Sequence, residues 1–464
     1  MKTMTMQQIA DVTSGHLIST HEPEFLINAI ETDSRKSLTD SLFVALKGEQ
    51  FDGHDYVEQA VAAGAAAVVV NKPQVVPVPQ VIVEDTLDAL AALGRYQRIT
   101  YDIPTVGLTG SCGKTTTKEM IAEILATKGK VHATKGNLNN QFGVPFTLFE
   151  LDNDDNYSVI EMGAGRRGDI DFLTKIALPD VALITCIAEA HLEGMGSLEG
   201  IARTKSEILH GLGDTGIAIL PYDSRWLEGW KKKIRSRQSL LTFGLDDNAD
   251  FYATNLAISS DGMVFNVHYM NQQETVHLAL PGEHNVVNAL AAIAVSVALG
   301  LTLADAAMGL ANAKTTAGRL TPRVGINGAQ ILDDTYNANP KAVFAAGKVL
   351  EQYPGKRIII AGDMAELGEE SADIHRRLGE ELSQLNIDQL LTVGSHSAYL
   401  AEGFGDGALH FNNKQSLIDY IKPELSDDMV IVVKGSRSSA METIVQELVE
   451  VSQTDNNLRE SSAC

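Results

Sequence analysis

Residues 107–120 read GLTGSCGKTTTKEM. The stretch is built like a phosphate-binding loop but misses the G-x-x-x-x-G-K-[ST] spacing by one residue. Counting back from Gly113 puts Leu108 where the first glycine belongs; Gly107 comes one residue too early, and Gly110 gives only a short G-x-x-G-K-T. The flanks carry the reading. Thr105 to Thr109 is a short apolar run and reads as a buried strand. Beyond Gly113, the spacing of Met120, Ile121, Ile124 and Leu125 predicts one buried helical face, with Gly129 as a stop. A strand feeding a helix through such a loop aims backbone N–H groups and the positive helix end at an anion. Lys114 would reach terminal phosphates, and the Thr115 hydroxyl could ligate Mg²⁺. The bland alternative is a Gly-Ser turn opening an ordinary helix; strand, loop, Lys-Thr-Thr and helix together favour the nucleotide. Cys112 reads as a tolerated small residue, because backbone and not thiol holds phosphate.

The rest of the chain sets limits. Its 464 residues suggest about three domains. With 44% hydrophobic and 21% charged residues it has the composition of a soluble globular protein. A formal charge of −23 argues against a broad nucleic-acid or anionic-membrane surface, so an anionic ligand must be held by local groups. Three cysteines, at 112, 186 and 464, are too few and too scattered for a disulfide framework and suit a reducing cytoplasm. The N-terminus has no apolar signal core. The nearest approach to a membrane span, residues 285–304, carries Asn285, Asn288 and Ser296 and is broken by Gly300. It reads as a buried core helix and a turn, with no membrane insertion expected. The polar tail, residues 452–464, is expected to fray.

The chain divides into an α/β class with three domains: 1–102, a small α/β substrate domain; 103–316, a central P-loop domain on a parallel sheet; and 317–464, a Rossmann-like α/β domain. In the central part YSVIEMGAG reads as a strand ending at Glu161, DVALITCIAEAH as a strand whose following loop carries His191, and GIAILPYDS as a strand ending near Asp223. Apolar strands alternating with helices predict a parallel sheet covered on both faces, which binds ligands beyond its C-terminal strand ends. The loop, Glu161 and His191 would share that rim. After residue 317 four apolar runs end in polar or glycine residues: AQILDDTYNANP, KRIIIAGDMAELG, DQLLTVGSHS and DMVIVVKGSRSS.

Beside a phosphate loop, Glu161 suits the oxygen preference of Mg²⁺ and His191 suits it less well. Taken alone, a strand-end glutamate is more often a cap or an ion-pair partner, and a lone histidine more often structural. DDTYNANP, residues 333–340, could bind ribose hydroxyls or form an Asx-rich turn stopped by Pro340. Arg319 and Arg323 could meet a phosphate across a domain cleft, and Lys434 and Arg437 a second anion.

With these stretches in view, the chain resembles the Mur ligases, the ATP-dependent amino-acid-adding enzymes of bacterial peptidoglycan synthesis. The short loop TGSCGKTT is that family's version. The resemblance continues through TDSR, LFVALKGEQFDGHDY, TKGNLNNQFGVP, EMGAGRRGDI, AHLEGMGSLEGIARTKSEIL, GEHNVVNALAA, DDTYNANP, GDMAELG and VKGSR. GNLNN, DDTYNANP and GDMAELG are most similar to the member that adds D-alanyl-D-alanine to UDP-N-acetylmuramoyl-tripeptide; the D-N-P-R type motif of the diamino-acid-adding member is absent. The resemblance implies that Gly110, Ser111, Gly113, Lys114, Thr115 and Thr116 hold ATP phosphates and a first Mg²⁺. It makes Thr115, Glu161 and His191 magnesium ligands, with Lys205, as a carbamate, helping to bind a second Mg²⁺. Asn285 and Asn288 would face adenine, Arg319 the phosphates and Asp334 the ribose. Ser34 and Arg35 would help hold uridine diphosphate. Asn137, Asn139, Asn140 and Arg166 would line the acceptor-peptide region, where Gly165 departs from the family's usual Asn or Ser. Lys114, Lys205, His191 and Arg319 would be the catalytic set.

The implied reaction is a two-step ligation. The peptide carboxylate attacks the γ-phosphate, ADP leaves an acyl phosphate, and the free amine of the dipeptide displaces phosphate. No residue stands out as the base for that amine. Ligands from three domains suggest closure on binding, and a monomer is expected. Folylpolyglutamate synthetase, which shares the short loop, and a nucleotide-dependent switch are the rival readings.

Overall fold

The computed structural model describes residues 1–19, 25–48, 50–259, 262–313 and 316–450. The polar tail and Cys464 therefore lie outside the described residues.

Three sheets follow one another along the chain, each with its own core. The first is formed by β1 (His16–Ile18), β2 (Ala29–Glu31), β3 (Ser41–Val44), β4 (Ala67–Val70) and β5 (Gln80–Ile82), in the order β1-β5-β4-β3-β2. Only β1 runs antiparallel to its neighbour. The helix Thr86–Tyr101 closes this unit and ends on left-handed Asp102.

The second sheet has nine strands: β6 (Thr105–Thr109), β7 (Val131–Ala133), β8 (Tyr157–Glu161), β9 (Val181–Ile184), β10 (Ile217–Pro221), β11 (Ser239–Gly244), β12 (Phe251–Ile258), β13 (Met263–Tyr269) and β14 (Gln272–Leu278). Their order is β14-β13-β12-β11-β10-β9-β6-β8-β7. From β7 to β12 neighbours are parallel, and both faces are buried as expected. Val106, Leu108, Val159 and Leu183 pack into one core with the helices Lys114–Ala126, Glu283–Ala298 and Leu303–Leu310. Ile160, Ala182 and Ile184 alternate into the opposite core with the helix Asp169–Ala177. This period-2 switching is what a doubly covered strand requires.

Three details differ from the sequence reading. β12, β13 and β14 form an antiparallel extension, in which a short turn between Tyr269 and Gln272 joins β13 to β14. β10 ends at Pro221, two residues before Asp223, with Tyr222 N still donating to the Phe243 carbonyl oxygen at 2.9 Å. The helix after the phosphate loop stops at Ala126, three residues before Gly129, with Thr127 Oγ1 donating to the Ile124 carbonyl oxygen at 2.7 Å. The apolar run near residue 290 is the core helix Glu283–Ala298, and no helix of the described residues is long and apolar enough to cross a membrane.

The third sheet comprises β15 (Thr321–Val324), β16 (Gln330–Asp334), β17 (Lys356–Gly362), β18 (Gln389–Val393), β19 (Ala408–Phe411) and β20 (Met429–Lys434), ordered β15-β16-β20-β17-β18-β19. The four expected runs form its parallel centre. β15, an antiparallel edge strand, and β19 were not anticipated, since both are short and largely exposed and lack an apolar run.

Candidate functional site

β6 and β9 are parallel neighbours in register Thr109↔Ile184, so the residues that leave their C-terminal ends remain side by side. The phosphate-loop stretch is built on that edge. Ser111 N donates to the Cys186 carbonyl oxygen at 2.9 Å, and Thr185 Oγ1 donates to the Cys112 carbonyl oxygen at 2.6 Å. A Cβ at Gly110 would stand 1.9 Å from Thr185 Oγ1, so only glycine fits there. Gly113, at φ +76°, opens the helix Lys114–Ala126 with no side-chain cap. The first N–H groups of that helix therefore face the cavity, with the positive helix end behind them. Lys114 Nζ curls back to the Gly110 carbonyl oxygen at 2.9 Å. Thr185 is a brace that the sequence did not single out; its signal was its place at the end of the strand next to β6.

A cavity of about 1730 Å³ opens over this loop, lined from the central and C-terminal sheets alike. Of the expected loop residues Ser111, Gly113, Lys114, Thr115 and Thr116 line it and Gly110 does not; Glu161, His191, Arg166, Asn137, Asn139 and Asn140 line it, as do Asn285, Asn288, Arg319 and Asp334. Lys205 lies behind its wall, and Ser34, Arg35 and Arg323 are not among the residues that line it. Arg35 is instead paired to Asp33 at 2.7 Å on the surface.

Glu161, at the end of β8, is only 2% exposed. Asn139 Nδ2 donates to its Oε1 at 2.9 Å, while its Oε2 has no partner among the described residues. A buried carboxylate oxygen left unpaired is costly unless a cation meets it. One carboxylate plus the Thr115 hydroxyl suits Mg²⁺, which keeps waters and takes phosphate oxygens for its other ligands. Among the described residues no group of three or more His, Cys, Asp or Glu could hold a metal alone. His191 is bonded through Nδ1 to Glu366, across from the C-terminal sheet. Both residues adopt left-handed backbone, at φ 56° and 62°, a strain that non-glycine residues hold only when their surroundings impose it. The bond to His191 holds the Glu366 carboxyl below its ordinary range. Glu366 lies in GDMAELG, a stretch to which the sequence assigns no site residue.

Lys205, at the end of the helix Leu198–Lys205, is 1% exposed, and its Nζ has no hydrogen-bond partner among the described residues. Burial, and then the charge of Lys114, push its pKa down to about 7. It can therefore be a neutral amine near neutral pH, which is the form that reacts with CO₂.

Arg319 reaches from the C-terminal unit to the loop, donating from Nη2 to Thr115 Oγ1 at 2.8 Å. Its guanidinium lies 4.4 Å over the Tyr336 ring, and its Nε is buried without a partner. Asp334 is paired at 2.6 Å with Lys434 Nζ, which also donates to the Asn337 carbonyl oxygen at 2.9 Å. Lys434 is thus neutralised internally and is not a free cation for a second anion, a correction to the sequence reading. Burial pushes Asp334 upward, with Lys434 opposing. Arg437 lines the cavity and is paired with Glu442 at 3.2 Å.

The amides of the helix Glu283–Ala298 are partly engaged already. Asn285 Nδ2 donates to the Pro281 carbonyl oxygen at 2.8 Å and Asn288 Nδ2 to Asn285 Oδ1 at 3.2 Å. Asn288 lies against the loop, its Oδ1 2.4 Å from where a Gly113 Cβ would stand. Asn140 Oδ1 accepts from Phe142 N at 3.1 Å and Gly143 N at 2.9 Å, just ahead of the helix Gly143–Phe149. Asn339 caps the helix Pro340–Leu350, so Pro340 opens a helix here rather than stopping an Asx-rich turn. Gly165 has open space where its Cβ would be.

An uncapped helix N-terminus with a buried lysine-threonine loop, an orphaned carboxylate oxygen and an arginine from a second sheet is the arrangement of a nucleotide-dependent ligase. The Mur ligase family, catalytic domain, matches residues 26–98; the Mur ligase middle domain matches 108–296; and the Mur ligase, glutamate ligase domain, matches 318–437. The chain belongs to the Mur ligase family. It is 43% identical to the UDP-N-acetylmuramoyl-tripeptide–D-alanyl-D-alanine ligase of Escherichia coli K12, over 97% of this chain and 99% of that protein. Among solved structures, MurF from Acinetobacter baumannii superposes with a TM-score of 0.92 at 37% identity, over 96% of this chain and 99% of that one. MurF ligase from Thermotoga maritima, solved in complex with ADP, gives 0.83 at 30% identity, over 91% and 97%.

Proposed function

We propose that this chain is an ATP-dependent ligase that joins D-alanyl-D-alanine to UDP-N-acetylmuramoyl-tripeptide, forming a peptide bond by way of an acyl phosphate. The observation that carries the reading is the 43% identity to the E. coli ligase along nearly the full length of both chains. The same similarity argues against a folate substrate and against a non-catalytic switch.

The loop residues Gly110, Ser111, Gly113, Lys114, Thr115 and Thr116 bind the phosphates of ATP, and Arg319 stabilises the charge that develops on the transferred group. The shared use of Thr115 and the Tyr336 ring keeps that guanidinium aimed at the loop. Thr115, Glu161 and His191 would hold one Mg²⁺, and Lys205, once carbamylated, would contribute to a second. These ions would supply neutralisation of the phosphate charge that otherwise repels the attacking carboxylate. Asn139 orients Glu161. Asn285 and Asn288 meet the base side of the nucleotide and Asp334 its ribose. Asn137, Asn140 and Arg166 line the peptide path, and Ser34 and Arg35 lie with the uridine diphosphate. The units 1–102, 103–316 and 317–464 would work as a cytoplasmic monomer that closes on its ligands. Closure keeps water from the acyl phosphate.

The test is phosphate release with Mg-ATP and UDP-N-acetylmuramoyl-tripeptide, with and without D-alanyl-D-alanine, followed by mass spectrometry. The expected result is release that depends on the dipeptide and a UDP-linked pentapeptide. Release only with a single amino acid would assign an earlier step of the pathway instead.

A further inference from the structure

The cavity also holds two thiols that the proposed reaction does not use. Cys112 sits in the phosphate loop and Cys186 two residues beyond β9. The parallel pairing of β6 with β9 brings them together: Cys186 Sγ donates to the Cys112 carbonyl oxygen at 3.6 Å. Both are free and partly exposed, and both line the cavity, so solutes can reach them.

Their surroundings separate their chemistry. Asn339, which caps the 11-residue helix Pro340–Leu350, contacts Cys112 Sγ through both ends of its amide: Nδ2 donates to the sulfur at 3.3 Å, and Oδ1 lies 3.4 Å from it. Lys341 and Lys114 add positive potential. The neighbouring Cys186 thiol and then the Asn339 amide lower the Cys112 thiol below its ordinary range, whereas Cys186 is raised by its nearness to Cys112 and by burial. Cys112 is thus the more readily ionised and more nucleophilic of the two, and Cys186 the one that holds its proton more tightly. Those are the properties of a redox-reactive cysteine with its resolving partner.

We propose that Cys112 and Cys186 form a hydroperoxide-reactive pair whose disulfide shuts the phosphate loop to nucleotide. The Cys112 thiolate attacks one oxygen of the hydroperoxide, the O–O bond breaks, and the departing alkoxide or hydroxide takes a proton from solvent. Cys112 becomes a sulfenic acid, oxidised by two electrons as the peroxide is reduced. The Cys186 sulfur then attacks the sulfenic sulfur and an S–S bond forms. The displaced hydroxide leaves as water with the Cys186 proton. Overall, two thiols and one hydroperoxide give a disulfide, an alcohol or water, and a further water. The bond withdraws Cys112 Sγ from Asn339. The loop has no slack to absorb this, since Gly110 already abuts Thr185, so the N–H groups of the cradle turn away from the phosphates. This consequence for binding rests on the nucleotide reading of the loop; the thiol chemistry does not.

The test uses the full chain carrying Cys464→Ser, which leaves these two thiols. Hydrogen peroxide is added, free thiols are alkylated, and the digest is searched for a Cys112–Cys186 linked peptide. Binding of a fluorescent ADP analogue is measured before oxidation, after it, and after dithiothreitol. The expected results are the linked peptide, affinity weakened roughly ten-fold or more by loss of contacts to a charged group, recovery on reduction, and slower linkage when ADP is bound first. Cys186→Ser should yield a dimedone-trapped sulfenic acid at Cys112 and no linked peptide. Absence of the linked peptide, or linked protein with unchanged affinity, overturns the proposal. A reduced protein that binds no nucleotide instead overturns the reading of the loop, and the linked peptide still decides the thiol chemistry.

Discussion

Arg319 Nη2 stands 2.8 Å from Thr115 Oγ1, a hydrogen bond between residues 204 positions apart that ties the C-terminal unit to the first turn of the phosphate-loop helix. The same guanidinium rests on the Tyr336 ring, so its direction is fixed from both sides. Arg319→Ala is expected to lower kcat by about 10²–10³-fold, the usual effect of removing one preorganised donor to developing charge. Arg319→Lys should recover little, because an ammonium can neither stack on the ring nor fork to two acceptors. Phosphate-release kinetics decide this, and full activity in the lysine variant would reduce Arg319 to a point charge.

Asn139 holds Glu161 Oε1 and leaves Oε2 toward the cavity. Asn139→Ala should raise the Mg²⁺ concentration for half-maximal rate by about 10–100-fold, as loss of an orienting partner of a metal ligand does, with little change in the rate at saturating Mg²⁺. A Mg²⁺ titration reads it. An unchanged requirement would remove Glu161 from the metal site.

Lys205 is buried with its pKa at about 7, against about 10.4 in an unfolded chain. The folded protein therefore binds this proton less readily than the unfolded one. The resulting penalty is absent above pH ~10.4, grows as pH falls, and is complete below about 7. Lys205→Met should thus be more stable than the parent at pH 6.5, by of order a few kcal/mol, with the gain shrinking toward pH 9.5, while ligase activity is lost. Urea denaturation at both pH values in CO₂-free buffer, beside the activity assay, checks the two halves.

Gly309, in the helix Leu303–Leu310, lets that helix approach the phosphate-loop helix: an added Cβ would lie 2.5 Å from Ile124 Cα. Backbone cannot give way as a flexible side chain can. Gly309→Ala should destabilise by about 1–3 kcal/mol through overpacking, despite the better helix propensity of alanine. Thermal denaturation measures it, and a rise in Tm would show that the two helices have room to part.

Much of this was legible in the chain because it was local. The loop from Gly110 to Thr116, its flanking strand and helix, the strand end at Glu161 and the core helix Glu283–Ala298 each follow from periodicity and a stop signal within about ten residues. The antiparallel extension β12–β14 was not legible, because a strand's pattern does not state the direction of its neighbour. Edge strands β15 and β19 bury too little to leave an apolar run.

By itself the sequence determined three α/β units, a phosphate loop placed where a strand meets a helix, and membership of a ligase family carried by motifs along the whole chain. Only the tertiary structure decided which charges are free. It spends Lys434 on Asp334, leaves Lys205 Nζ and Glu161 Oε2 without partners among the described residues, couples His191 to Glu366, and sets Cys112 against Cys186 and Asn339. A charge or a thiol takes its reactivity from the groups within a few ångströms and from the water it has lost. Those neighbours come from strands and loops tens to hundreds of residues away, joined only when the sheets form and pack.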